Sequence, residues 1–213
     1  MKKIVSFVLS TLMLVYASST NADKALLAGG CFWCMESDFE KLVGVTDVIS
    51  GFTGGQVENP TYRGNHKGHY EAVEITYDAN QVSYQEILAH YWVNIDPFDS
   101  KGQFCDKGSS YLSAIFVANE QQRLLAEQSK QAVIKEFPNQ TVVTPILAAS
   151  TFYPIKGEES DHQNYYKNNP LRYKIYRWNC GRDQRLEEIW GDRSTHDKSS
   201  KLICVNYREC YKK

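Results

Sequence analysis

The run ALLAGGCFWCMESDFEKL, residues 25–42, changes character at its two glycines. Ahead of them, Ala25 to Ala28 is a short apolar stretch that suits a buried strand. Behind them, Cys31, Cys34 or Met35, Phe39 and Leu42 recur on one side of a helix, and Gly44 marks its stop. Gly29 and Gly30 let the chain bend sharply and leave the Cys31 sulfur approachable in the first helical turn. The same alternation of patterns continues downstream. Val45–Thr53 reads as a strand, residues 54–68 as a long glycine-rich polar loop, and Tyr70–Tyr77 as a strand. On that strand Glu71, Val73, Ile75 and Tyr77 share one face, while Glu74 and Thr76 point the other way. Ser83–Tyr91 opens with a capping box, Ser83 with Glu86, and is a predicted helix. Leu112–Ala118 is a predicted strand, Asn119–Phe137 a long amphipathic helix and Thr141–Leu147 a further strand. The order strand, helix, strand, strand, helix, strand is that of a split βαβ, or ferredoxin-like, core. The expected fold is therefore α+β, a two-layer α/β sandwich followed by an irregular C-terminal extension.

Residues 1–22 are read apart from this fold. Lys2 and Lys3 precede an apolar run from Ile4 to Tyr16 and a small, polar stretch ending near Ala22, the layout of a secretory signal peptide. The run is short for a membrane span, and the expected mature protein is exported, periplasmic or secreted. Losing Lys2 and Lys3 takes the formal charge from −1 to −3, which offers no basic face to nucleic acid or to an anionic membrane. The remaining roughly 190 residues suit one domain. We expect a monomer with a catalytic domain over residues 23–192 and a tail over 193–213.

Six cysteines in an exported chain, Cys31, Cys34, Cys105, Cys180, Cys204 and Cys210, first point to a disulfide framework. A domain of this size folds without staples, and the spacing is uneven, so the set reads as mixed in purpose. Cys31 sits where unpaired amide groups and the positive end of a helix dipole favour a thiolate nucleophile. Phe32 and Trp33 beside it fit the walls of a small apolar pocket for a methyl or thioether group. The competing reading makes both rings core residues and the two thiols a structural bridge. Cys204 and Cys210 frame a short loop that suits a structural disulfide, with a shuttle role as the sharper alternative. Cys105 reads as a small packing residue. His66 and His69 of HKGH complete, with Cys31 and Cys34, a sketch of a Cys2His2 zinc site, but the spacing is unusual and no metal is expected. Ser160 to Gln163 has the look of a capping box and so of a helix start near His162.

The segment GGCFWC resembles the signature of the A-type peptide methionine sulfoxide reductases. GFTGG, NPTYRGNHKGHYEAVEITYD, CDKGSSYLSAIF and DHQNYYKNNP are similar to that family's later segments in the same order. The likeness spans nearly all of residues 25–170. It implies that Cys31 is the nucleophile that takes the sulfoxide oxygen, and that Glu71 is the acid that protonates this oxygen. It further implies that Tyr62 and Tyr111 hydrogen-bond the oxygen and that Asp106 orders the site. The oxidised Cys31 is then a sulfenic acid that a second thiol condenses into a disulfide. The stretch YRWNCGRDQRLEEIWG resembles the C-terminal element of a family branch in which such a cysteine resolves. Cys180 is therefore favoured as resolving cysteine, and Cys34 is the runner-up.

The expected substrates are the S epimer of methionine sulfoxide in oxidised proteins and the free amino acid. No bound cofactor is expected, and the electrons come from an external thiol, a thioredoxin-like protein or dithiothreitol. Two other classes compete: an exported thiol-disulfide oxidoreductase using the CxxC pair, and a disulfide-stapled binding protein. Neither accounts for Phe32, Trp33 and Glu71 together, and the element order around Pro145 is wrong for a thioredoxin fold.

Overall fold

In the computed structural model, which describes residues 22–194, the chain begins with β1 (Asp23–Gly29), α1 (Phe32–Phe39), β2 (Val45–Thr53), β3 (Tyr70–Tyr77) and α2 (Tyr84–Trp92). A small hairpin of β4 (Gly102–Gln103) and β5 (Asp106–Lys107) leads through a 3-10 turn (Ser109–Tyr111) into β6 (Ser113–Val117) and α3 (Glu120–Glu136). After β7 (Ile146–Ala148), β8 (Tyr153–Pro154) and a 3-10 segment (Gly157–His162) come α4 (Tyr165–Asn168), α5 (Pro170–Asn179) and α6 (Arg182–Trp190). Residues 1–21 of the predicted leader, and Cys204 and Cys210 of the tail, lie outside the described residues. Among the described residues no helix is long and apolar enough to cross a membrane.

Six strands form one mixed sheet in the order β7-β6-β1-β3-β2-β8, parallel only between β6 and β7. β1 and β2, joined by α1, are separated in the sheet by β3. This mixed sheet with flanking helices is the α+β architecture that the element order predicts. The period of two along β3 decides which side chains meet the helices: Val73, Ile75 and Tyr77 enter the main core with Leu27, Phe32, Met35 and Phe39. Glu74, on the opposite face, instead takes Lys24 at 2.6 Å. That second face carries a shallow cluster of Leu26, Ala28, Ala72, Ala114 and Phe116.

Local chemistry fixes the ends of the elements. Ser83 and Glu86 form the reciprocal capping box at the start of α2, and Asn119 Oδ1 accepts from the Gln122 N–H at the start of α3. β7 is shorter than the predicted Thr141–Leu147 strand. Pro145 has no N–H for the ladder, and the Val143 N–H goes to Pro97 O at 2.8 Å. Ser160 and Gln163 do not form the predicted capping box. Gln163 acts as a surrogate strand, its amide accepting from Ser50 N at 2.9 Å and donating to Ser50 O at 2.6 Å.

The C-terminal extension is helical where an irregular one was expected. Pro170 starts α5 at its first turn, Cys180 caps its end, and Gly181 at φ +64° turns the chain into α6. Dense Lys and Arg residues mask the periodicity of α5, whose inward face is Tyr173, Arg177 and Cys180. Trp190 Nε1 donates to Ile95 O at 2.9 Å and docks the end of α6 on the body of the fold.

Candidate active site

Cys31 is the residue that caps α1, and the turn before it is crowded by design. A Cβ on Gly29 would stand 2.5 Å from Met35 Sδ, and Gly30 adopts φ +82°. From α6, Arg182 reaches under this turn, with Nη1 donating to Gly29 O at 3.3 Å and Nη2 to Asn94 O at 2.7 Å. Cys31 and Cys34 are 6 % and 2 % exposed, carry free thiols and hydrogen-bond one another.

Their ionisation differs from the sequence expectation of a low-pKa Cys31. Burial pushes the Cys31 thiol well up, aided by the neighbouring Cys34 and Glu71, although Tyr176 opposes the rise with a hydrogen bond. Cys34 is lowered to about 7 by the hydrogen bond from Cys31, with Arg182 and Arg177 working against its burial. The helix N-terminus serves another group: the Phe32 N–H donates to Glu71 Oε2 at 3.1 Å. Glu71 is 2 % exposed, and its burial outweighs that bond, raising its pKa to about 8. The pair of thiols therefore shares one acidic proton, and a protonated carboxyl group stands beside it at neutral pH.

The predicted phenols converge on the same place. Tyr62 and Tyr111 are both raised, first by burial and then by Glu71, Cys31 and Asp106, so they remain neutral donors. Asp106, on β5, accepts from Tyr176 Oη at 2.5 Å, and burial raises its pKa despite that bond. Phe32 is fully buried against Phe52 and Tyr62, with ring centroids at 6.0 and 5.9 Å. Trp33 stacks on Tyr165 at 3.8 Å and donates Nε1–H to His162 Nδ1 at 3.2 Å. Burial lowers the pKa of His162, which suits this neutral accepting nitrogen. His162 in turn lies 3.9 Å from the Tyr62 ring, so three separate segments build one aromatic wall.

Cys105 corrects the packing assignment made from sequence: it is exposed and joined to Cys180 by a disulfide of 2.05 Å. In this state Cys180 carries no thiol. Asp106 Oδ2 lies 3.9 Å from Cys180 Sγ, which places the disulfide next to the Tyr176 and Asp106 pair. His66 and His69 stand apart from the cysteines and hold their own loop. His69 Nδ1 accepts from Gly55 N at 3.3 Å with Nε2 at 2.9 Å from Val57 O, and His66 Nδ1 lies 3.0 Å from Thr61 O.

Sequence reasoning passed over the polar support of the site. Asp38 on α1 faces Arg177 Nη1 at 3.0 Å and Arg182 Nε at 3.8 Å. Burial would raise Asp38, but the two guanidinium groups hold it below the usual carboxylate range. Glu36 takes the Asn164 N–H with both oxygens, at 2.9 and 3.0 Å, and burial lifts it to about 7. The signal was present: Tyr173, Tyr176, Arg177 and Cys180 recur at helical spacing.

A family model described as peptide methionine sulfoxide reductase matches residues 23–194. The chain belongs to this family. It is 46 % identical over 177 residues to the peptide methionine sulfoxide reductase MsrA 2 of Caulobacter vibrioides, covering 82 % of this chain and 88 % of that protein. It is 46 % identical over 173 residues to MsrA of Halalkalibacterium halodurans, covering 79 % of this chain and 97 % of the relative. Among solved structures it resembles methionine sulfoxide reductase A of Corynebacterium diphtheriae, at TM-score 0.66 and 30 % identity. That likeness covers 72 % of this chain and 78 % of the other. The reductase is thus an oxidoreductase for methionine sulfoxide, the reaction that repairs oxidised methionine.

Proposed function

We propose that this reductase removes oxygen from the S epimer of methionine sulfoxide, in proteins and as the free amino acid, through a Cys31 sulfenic acid resolved within the chain. The observation that carries the reading is the juxtaposition of a free Cys31 and Cys34 in hydrogen-bond contact with the Glu71 carboxyl group next to them. Oxide leaves sulfur poorly without a proton. Glu71, with its pKa near 8, holds one at neutral pH, and Tyr62 and Tyr111 offer hydrogen bonds to the same oxygen. Cys31 reaches the thiolate by leaving its proton with Cys34 and attacks the sulfoxide sulfur. The oxygen, protonated by Glu71, passes to Cys31 as the sulfenic acid, and methionine departs. Phe32, Trp33 and the rings around Trp33 give the methyl group an apolar wall.

Cys34 is the first resolving thiol in this reading, in place of the Cys180 favoured by resemblance, because Cys180 is occupied by Cys105. Its attack on the sulfenic acid forms the Cys31–Cys34 disulfide and releases water. The cycle needs no bound cofactor and closes with an external dithiol, a thioredoxin-like protein or dithiothreitol. The reductase acts as an exported protein, on the strength of Lys2, Lys3 and the apolar run that follows. The CxxC pair acting in general thiol-disulfide exchange is not favoured, since it leaves the buried Glu71 without a task.

A single turnover of Cys34→Ser protein whose Cys105–Cys180 bond is intact tests the resolving step. One methionine forms and the sulfenic acid persists, trapped by a cyclic diketone reagent. Loss of the sulfenic acid as fast as in the wild type would exclude Cys34 as resolver.

A further inference from the structure

The zinc site sketched in the sequence from Cys31, Cys34, His66 and His69 is not assembled, since both histidines hold their own loop. A different set of ligand atoms does converge. Among the described residues, Cys105, Asp106 and Cys180 bring metal-ligating atoms together, all within 4.8 Å of one another. The Asp106 carboxylate spans both sulfurs: Oδ1 lies 3.7 Å from Cys105 Sγ and Oδ2 3.9 Å from Cys180 Sγ. Cys105 is exposed, so an ion and its waters can reach the group from solvent.

The three side chains come from two anchored elements. Cys105 and Asp106 belong to the β4–β5 hairpin, where the Gln103 amide accepts from Asp96 N at 2.8 Å and donates to Asp96 O at 2.7 Å. Cys180 caps α5, which Arg177 ties to Asp38 of α1, and its Cα stands 4.8 Å from that of Cys105. Tyr176 Oη donates to Asp106 Oδ2 at 2.5 Å and leaves Oδ1 as the ligand oxygen, the kind of outer contact that orients a metal-binding carboxylate. Arg182, over the Phe104 ring at 4.5 Å, faces Asp106 and offsets part of the negative charge that two thiolates and a carboxylate gather. Two sulfurs and a carboxylate do not suit calcium or magnesium, which take oxygen ligands. They suit zinc, whose three-ligand sites keep a water in the fourth position.

We propose that Cys105 and Cys180, once reduced, bind a zinc ion together with Asp106, so that their disulfide is the closed form of a surface metal site. An external dithiol supplies the two electrons that open the disulfide and becomes a disulfide itself. Zinc then replaces the two thiol protons, which pass to solvent, and forms two Zn–S bonds and one Zn–O bond without any further transfer of electrons. While the ion is bound, both sulfurs are ligands and cannot close into a disulfide again. Asp106 holds the ion through Oδ1 and keeps Tyr176 on Oδ2. The site lies beyond sulfoxide reduction and does not depend on which thiol resolves Cys31.

The test uses full-length protein in a Cys204→Ser, Cys210→Ser background, reduced with a phosphine and titrated with cobalt(II) as the spectroscopic stand-in for zinc. One cobalt per chain should bind with a sulfur-to-metal charge-transfer band, zinc should displace it, and protein with the disulfide intact should show no such band. Cys105→Ser or Cys180→Ser should remove at least half of the band, and a Cys31→Ser, Cys34→Ser variant should keep it whole. Tyr176→Phe, which frees the Asp106 carboxylate to turn, should weaken binding about 10- to 100-fold. Alkylation mapping reads the site without changing its residues: zinc should shield Cys105 and Cys180 and leave the rates at Cys31 and Cys34 as they were. No cobalt on the reduced protein, or a band that survives Cys105→Ser and is lost with Cys31 and Cys34, overturns the zinc site. Neither result bears on sulfoxide reduction, which the titration does not use.

Discussion

A carboxyl group with no charge partner, 2 % exposed among Phe32, Val73 and the two thiols, is what gives Glu71 its chemistry. Replacing it by Gln keeps the shape and removes the acid. Single-turnover sulfoxide reduction should fall by about 10²- to 10⁴-fold, and the wild-type decline in rate as pH rises through about 8 should vanish. The same group carries a stability signature. Its pKa is raised in the fold from an ordinary 4.5 to about 8, so the contribution of its protonated form is complete below pH 4.5 and is lost as pH rises through 8. Denaturant unfolding at pH 5 and pH 8.5 should therefore show Glu71→Gln gaining on the wild type only at the higher pH, and an equal difference at both would contradict this assignment. Glu71 was legible in the sequence because the family resemblance pointed to it and strand alternation puts it on the apolar face. The ionisation of Cys31 was not, because it depends on which group captures the Phe32 N–H, and that is a tertiary fact.

At the scale of elements, a polar joint between α1, α5 and α6 positions the two thiols. Asp38 is 4 % exposed and depends on Arg177 and Arg182 from two other helices. Arg177→Leu should cost about 3 kcal/mol in equilibrium unfolding, since it leaves a buried carboxylate with only the more distant Arg182. It should also raise the Cys34 thiol above its value of about 7, which alkylation rate against pH measures. Ser83→Ala, at the capping box of α2, should cost only about 1 kcal/mol and leave alkylation unchanged. Strands β2 and β3 and helices α2 and α3 could be read from sequence because their burial alternates or recurs at a fixed period. β8 and the Gln163 bridge to Ser50 could not, since each exists only when residues more than a hundred positions apart, or a two-residue strand, meet an edge of the sheet. α5 was hidden by its charge, yet its buried residue is an arginine that the fold requires.

The whole molecule brings together segments that the chain keeps far apart. The α1 turn, the start of β3, the β4–β5 hairpin and the last two α-helices all meet near Cys31, because β3 lies between β1 and β2 in the sheet and the C-terminal helices fold back over α1. The sequence motifs announced each contributor separately, and resemblance put Tyr62, Tyr111 and Asp106 on the same list, but the pairing of Cys105 with Cys180 spans 75 residues and no local pattern encodes it. The central claim is that Cys31 removes oxygen from one epimer of methionine sulfoxide. The most direct measurement is turnover of the separated S and R forms of a blocked methionine sulfoxide by the full chain and by Cys31→Ser, with dithiothreitol as reductant. The account predicts that the wild type reduces the S form alone and that Cys31→Ser reduces neither. Reduction of the R form by the wild type, or activity surviving in Cys31→Ser, would contradict it.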